Sequence, residues 1–169
     1  MSKQSSNSKS IKLDVLSSLI SGLGFDIAEI DRSRPWGAFF RLENNNAEKF
    51  VDKYFSDIKD QFVTFEGLSP KYLLVEPGKQ LSWQYHHRRA EHWRVLEGSV
   101  GVKLSDDNNL PSQNTVLKKG DLIQFPKEKR HRLIGLDDWG LVVEIWEHTD
   151  KDSPSDEQDI VRVEDDFGR

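Results

Sequence analysis

The sequence predicts an all-β barrel preceded by two short N-terminal helices. Three observations predict it. From about residue 61 the apolar residues fall into short runs: Tyr72–Glu76, Trp93–Leu96, Ser99–Leu104, Thr115–Leu117, Asp121–Phe125, Arg130–Ile134 and Leu141–Glu147. Gly, Pro, Asn and Asp separate those runs, which is the texture of a sandwich or barrel rather than of βαβ units. The chain has 169 residues, a length that suits one domain with one core.

Taken in order, residues 1–10 are polar and serine-rich and read as a disordered tail. Leu13, Leu16, Leu19/Ile20 and Leu23 then recur at helical spacing until Gly22 and Gly24 stop the run. Arg34-Pro35-Trp36-Gly37 is a turn, and Ala38–Leu42 is a short apolar segment. Ala47, Phe50, Val51, Tyr54, Phe55 and Ile58 suit one face of a second helix, capped by Asn45 or Asn46. Residues 11–60 are thus a helical cover and 61–149 the barrel. Residues 150–169 form an acidic tail that packs on the barrel through Ile160–Val163.

Composition excludes several functions. The net charge of -5 argues against nucleic acid, whose phosphates call for a basic face. No apolar run approaches the roughly 20 residues of a membrane span. Lys3, Lys9 and Lys12 precede LDVLSSLISGLG, but Asp14 and serines interrupt that stretch, so a secretion signal is not expected and the cytoplasm is. The sequence has no cysteine, so any metal must be held by nitrogen and oxygen.

Candidate ligands gather between Gly78 and Gly98. Gln84 and His86 are two apart and share one side of a strand. Glu91 follows a turn and opens the next strand, close enough to converge with them across a hairpin. His131 follows the Pro126–Arg130 turn. One amide oxygen, two imidazoles and a carboxylate form an acceptable shell for a divalent first-row metal. Histidines in β proteins are more often plain hydrogen-bonding residues, and His148 is read as one. Strand parity turns His87 and His92 away.

Both stretches resemble the two motifs of the cupin family. The first, G-x5-H-x-H-x3–4-E-x6-G, matches Gly78, Gln84, His86, Glu91 and Gly98, with Gln84 in place of the first histidine. The second, G-x5-P-x-G-x2-H-x3-N, matches Gly120, Pro126 and His131, with Glu128 for the glycine and Gly135 for the asparagine. Arg34-Pro35-Trp36-Gly37, the run from Pro77 to Trp93, Arg130–Leu133 and the ending DIVRVEDDFGR are similar to type II mannose-6-phosphate isomerases. Those use a Gln-x-His pair with a Glu and a distant His. Arg88 stands where that family's pattern has a histidine. The nucleotidyltransferase part of the bifunctional members has no counterpart in these residues, so guanylyltransferase activity is not expected.

The resemblance implies a cupin fold, the double-stranded β-helix or jelly-roll barrel. It also implies a metal held by Gln84, His86, Glu91 and His131, with zinc first and another first-row ion second. The implied reaction is aldose–ketose isomerisation of a sugar phosphate through an enediol. Glu144, alternating with Val142 and Trp146, is the first candidate for the base, with a role orienting a histidine as its alternative. Arg88 shares parity with Gln84 and His86 and, with Arg132, is the candidate for the phosphate; Arg89 is a further option. A non-catalytic carbohydrate-binding cupin and a metal-dependent dioxygenase are the competing readings. The expected partner is the sugar phosphate, with a homodimer allowed for.

Overall fold

The computed structural model describes residues 2–169, with side chains described from residue 7. A long helix, α1 (Ser2–Gly22), is followed by β1 (Ile27–Asp31), β2 (Gly37–Leu42) and α2 (Ala47–Tyr54). The barrel continues with β3 (Leu68–Val75), β4 (Trp83–Tyr85), β5 (Arg89–Glu97), β6 (Ser99–Ser105), β7 (Thr115–Lys118), β8 (Leu122–Phe125), β9 (Arg130–Gly135) and β10 (Gly140–His148). The last strand is β11 (Val161–Glu164). One sheet has the order β1-β2-β3-β10-β5-β8 and the other β11-β4-β9-β6-β7. The all-β barrel expected from the sequence is the observed architecture.

Three expectations are corrected. Residues 2–10 continue helix α1 instead of forming a tail; Met1 lies outside the described residues. Residue 61 is no boundary, because β1 and β2 extend the six-stranded sheet and β11 joins the five-stranded one. Asn46 precedes α2 but does not cap it with its side chain. Its Oδ1 instead accepts the backbone N–H of Asp26 at 3.1 Å.

Two apolar layers hold the molecule together. Leu13, Leu16 and Ile20 of α1 join Phe50, Val51 and Phe55 on the outer face of the six-stranded sheet, against Tyr72, Leu74, Val143 and Ile145. Phe39, Leu73, Trp93, Val95 and Val142 fill the space between the sheets, against Val100, Val102 and Leu133. Strands β3 and β10 are therefore covered on both faces, which is why they read as nearly continuous apolar runs. Each such aliphatic side chain contributes about 1.5–3 kcal/mol by leaving water. The interior face of the same two strands carries Lys71 and Glu144, which lie opposite each other in the ladder. A lone charge in an otherwise apolar strand marks where the interior changes from core to site.

Candidate metal centre

The site forms between the sheets at one end of the barrel. Strand β4 belongs to the five-stranded sheet and β5 to the six-stranded one, so Gln84 and Glu91 face each other across the interior and not along one hairpin. His131 lies on β9, directly beside Gln84 in the ladder. The turn after β4 and the turn before β9 are tied together, since Glu128 donates its backbone N–H to the His86 carbonyl at 2.7 Å. Glu128 holds φ at 66°, the left-handed conformation that favours glycine. Gly135 meets a different demand: a Cβ there would lie 1.9 Å from the Glu76 carbonyl oxygen.

His86, Glu91 and His131 are each 2% exposed. His86 Nε2 lies 3.1 Å from His131 Nε2 and 3.1 Å from Glu91 Oε1, and His131 Nε2 lies 3.6 Å from Glu91 Oε2. Ligand atoms bound at about 2.0–2.1 Å in a tetrahedral shell sit about 3.3 Å apart, so these three atoms already have the separations of one coordination face. The far ring nitrogens are fixed as well. His86 Nδ1 donates to the Asp159 carbonyl at 2.8 Å and His131 Nδ1 to the Lys129 carbonyl at 2.9 Å. Each bond sets the tautomer that leaves Nε2 with its lone pair toward the centre. Gln84 lines the same cavity, and its Oε1 accepts a short hydrogen bond from Ser82. The donor set fits a borderline divalent ion.

Electrostatics reinforce that geometry. Burial pushes the His131 imidazole down to about 4, so it is neutral at pH 7, as a ligand must be. Burial alone would raise the Glu91 carboxyl, yet His131, Arg89 and His86 together hold it well below its ordinary value. With His131 neutral, Arg89 is its charged partner at pH 7: Nε donates to Glu91 Oε1 at 2.8 Å. Arg89 Nη2 also donates to His86 Nε2 at 3.1 Å. Glu144 behaves oppositely. Burial, and then the charge of Glu91, push its carboxyl up to about 8. A carboxyl that titrates near neutrality can both take up and release a proton there.

The segment between β10 and β11 runs across the site from one sheet to the other. Asp159 accepts the backbone N–H of His87 at 3.1 Å and of Arg88 at 3.0 Å. Ser155 Oγ receives Arg89 Nη1 at 2.9 Å, and Glu157 pairs with Lys71 at 2.9 Å. Arg89 and Lys71 both stack on the Trp146 ring, at 3.5 Å and 3.4 Å.

Gln84, Glu91 and Glu144 line one cavity, and His86 and His131 sit against Glu91 at its edge. The fold does not bring Arg88 or Arg132 there. Arg88 turns outward to Ser153 and Asp156. Arg132 follows His131 on the same strand and so faces the other side of the sheet, where it bonds the Glu164 carbonyl. The cations on the cavity wall are Arg34, Lys71, Arg89, Arg162 and Arg169. Of these, sequence reasoning considered Arg89 alone, as a further option. Lys71 had a readable signal, a single charge preceding the apolar run Tyr72–Val75.

A two-sheet barrel with paired histidines and a carboxylate buried at one end defines a cupin-type protein. Solved structures share the fold: the capsular polysaccharide assembling protein CapF from Staphylococcus aureus has a TM-score of 0.55 at 14% identity, covering 80% of this chain and 34% of that one. A recombinant oxalate oxidase has a TM-score of 0.53 at 19% identity, covering 79% and 58%. Residues 57–165 match the family model described as Mannose-6-phosphate isomerase C-terminal, and the chain belongs to that family. It is 32% identical over 136 residues to the xanthan biosynthesis protein XanB of Xanthomonas campestris pv. campestris, covering 80% of this chain and 23% of that protein. It is 36% identical over 99 residues to the alginate biosynthesis protein AlgA of Pseudomonas aeruginosa, covering 59% and 19%. The chain thus spans about a fifth to a quarter of the length of these relatives.

Proposed function

We propose that this chain is a metal-dependent aldose–ketose isomerase acting on a sugar phosphate, of the mannose-6-phosphate isomerase kind. One observation carries the reading. A buried carboxyl that titrates near neutral pH, Glu144, stands beside a His/Glu/His cluster with the spacing of metal ligands. Family membership supports the substrate class.

His86, Glu91 and His131, with Gln84 as fourth donor, would hold the ion. When bound, a divalent cation supplies Lewis acidity to the carbonyl and its neighbouring hydroxyl. The rest is done by the chain. In its ionised form Glu144 receives the proton from the carbon beside the carbonyl and returns it to the former carbonyl carbon, while the hydroxyl proton passes from the neighbouring oxygen to the former carbonyl oxygen, so that the enediol collapses to the isomeric sugar. Trp93 donates to Glu144 Oε2 at 2.8 Å, which leaves Oε1 as the proton-carrying oxygen. Lys71 and Arg89 offset negative charge that develops on the substrate oxygens. The crossing segment from Ser155 to Ile160 shields the exchange from water.

The test is metal analysis of the purified protein, then proton NMR of hexose and heptose phosphates with the zinc-, cobalt- or manganese-loaded form. Isomerisation is expected, with less than full deuterium uptake from D2O because the transferred proton is shielded. His86→Ala and His131→Ala should each lose bound metal. If the loaded protein binds sugar phosphates and isomerises none, it is a non-catalytic carbohydrate-binding domain instead.

A further inference from the structure

Among the five cations on the cavity wall, four have an anionic partner. Lys71 pairs with Glu157, Arg34 with Asp31 and Glu157, Arg89 with Glu91, and Arg169 with Asp165. Arg162 has none: among the described residues its guanidinium makes no ion pair and no hydrogen bond, and its Nε is buried and unsatisfied. Burial, and then the like charge of Arg169, press the guanidinium below its ordinary value, and the more distant charges of Asp165 and Glu157 offset only part of that. A cation that no anion contacts, with a buried Nε left unsatisfied, is a cost to the folded chain unless an anion arrives to offset it.

Its position says where that anion belongs. Arg162 lies opposite Gln84 in the β11–β4 ladder, and Gln84 lies opposite His131 in the β4–β9 ladder. Arg162, Gln84 and His131 therefore form one row on the interior face of the sheet. Neighbouring strands lie about 4.8 Å apart, so the Arg162 backbone stands roughly 10 Å from that of His131. Arg34, from the turn before β2, and Arg169 complete the same wall. We propose that Arg162, flanked by Arg34 and Arg169, is the binding site for the phosphoryl group of the substrate. The row places that group at the end of the sugar away from the carbon held at the His/Glu/His cluster. A phosphoryl dianion suits two or three converging guanidinium forks better than a singly charged carboxylate does. This assignment rests on the isomerase reading for the identity of the substrate, but not for the existence of an anion site.

The experiment separates the two. Binding of inorganic phosphate, with acetate as the control, is measured by calorimetry at constant ionic strength on wild type, Arg162→Met and Arg162→Lys. Metal content and thermal midpoint are recorded for each. Wild type should bind phosphate in preference to acetate. Arg162→Met should bind it at least tenfold more weakly, with metal content unchanged and the thermal midpoint equal or higher, because a half-buried cation that no anion contacts has been removed. Arg162→Lys should recover part of the affinity. With an isomerised sugar phosphate as substrate, Arg162→Met should raise KM at least tenfold for it and leave the non-phosphorylated sugar unaffected. Phosphate affinity equal in wild type and Arg162→Met, or no preference for phosphate over acetate in wild type, would overturn the proposal. Selective phosphate binding without isomerisation of any sugar would keep the anion site and remove the isomerase reading.

Discussion

Glu91 and Glu144, on adjacent strands β5 and β10, share one donor. The indole Nε1–H of Trp93 lies 3.0 Å from Glu91 Oε2 and 2.8 Å from Glu144 Oε2. The two carboxyls are thereby joined, and their titrations are driven apart: Glu91 is held low and Glu144 high. One is suited to hold a cation and the other to carry a proton.

Replacing that donor should disturb both. In Trp93→Phe each carboxyl loses a buried hydrogen bond, and a small void opens beside Phe125 and Val142. A loss of about 2–4 kcal/mol in unfolding free energy is expected from the orphaned acceptors and the cavity. The hydrogen bond favours the charged form of Glu144, so its removal should move the activity-linked titration to higher pH. A pH–rate profile that does not move would show that Trp93 serves packing alone.

Stability against pH has two opposing limbs in the metal-free protein. His131 is lowered to about 4 from 6.5, so the unfolded chain binds more protons between those values and stability rises with pH there. Glu144 is raised to about 8 from 4.5, so the folded chain binds more protons and stability falls as pH rises through that window. Above 6.5 the His131 contribution is complete while that of Glu144 continues, and Lys71, lowered by burial from 10.5, acts in the opposite sense as pH rises toward that value. Denaturant titrations in chelator should therefore show stability declining from pH 6.5 to 8, and Glu144→Gln should flatten that decline. A decline that persists in the variant would assign it elsewhere.

Asp159 is expected to matter to metal affinity without touching the metal. Its carbonyl holds His86 Nδ1, and its carboxylate gathers the His87 and Arg88 amides and the Ser155 hydroxyl. Asp159→Ala should cost about 1.5–3 kcal/mol of stability and weaken metal binding on the order of 10-fold. Competition with a chromophoric chelator measures the second effect. Unchanged affinity would mean that the turn after β4 holds His86 unaided.

Glu128→Gly should stabilise the protein. The left-handed backbone costs a non-glycine residue about 1–2 kcal/mol, and the added freedom of glycine in the unfolded chain returns about 0.4–1 kcal/mol of that. A net gain of about 0.5–1 kcal/mol is expected by chemical denaturation. The weak contact between His87 and Glu128, both largely exposed, should not reverse its sign.

The barrel was legible because strands covered on one or both faces write their burial into residue order, as Leu141–Trp146 does. The candidate ligands could be gathered from the sequence because Gln84-x-His86 and the turn before His131 have fixed spacing. Arg88 faces away from the cavity for a definite reason. Parity was carried from His86 to Arg88 through a turn, and the turn over His86–Arg88 resets it, so Arg89 and Glu91 point inward while Arg88 does not. The segment from Thr149 to Ile160 has no periodicity to read. Its residues gain their roles only from the place where β10 and β11 anchor its ends.

Strand β10 also limits how this protein can vary in length. Glu144 and Trp146 face the cavity while Val143 and Ile145 face the helices, so inserting or deleting one residue within the strand would exchange the two sets. A carboxylate would then lie under α2 and a valine beside the His/Glu/His cluster. Substitutions along β10 can be absorbed singly, but its residue count cannot drift. Length variation near the site must fall in the loops, and the crossing segment after His148 is where this architecture can accept it.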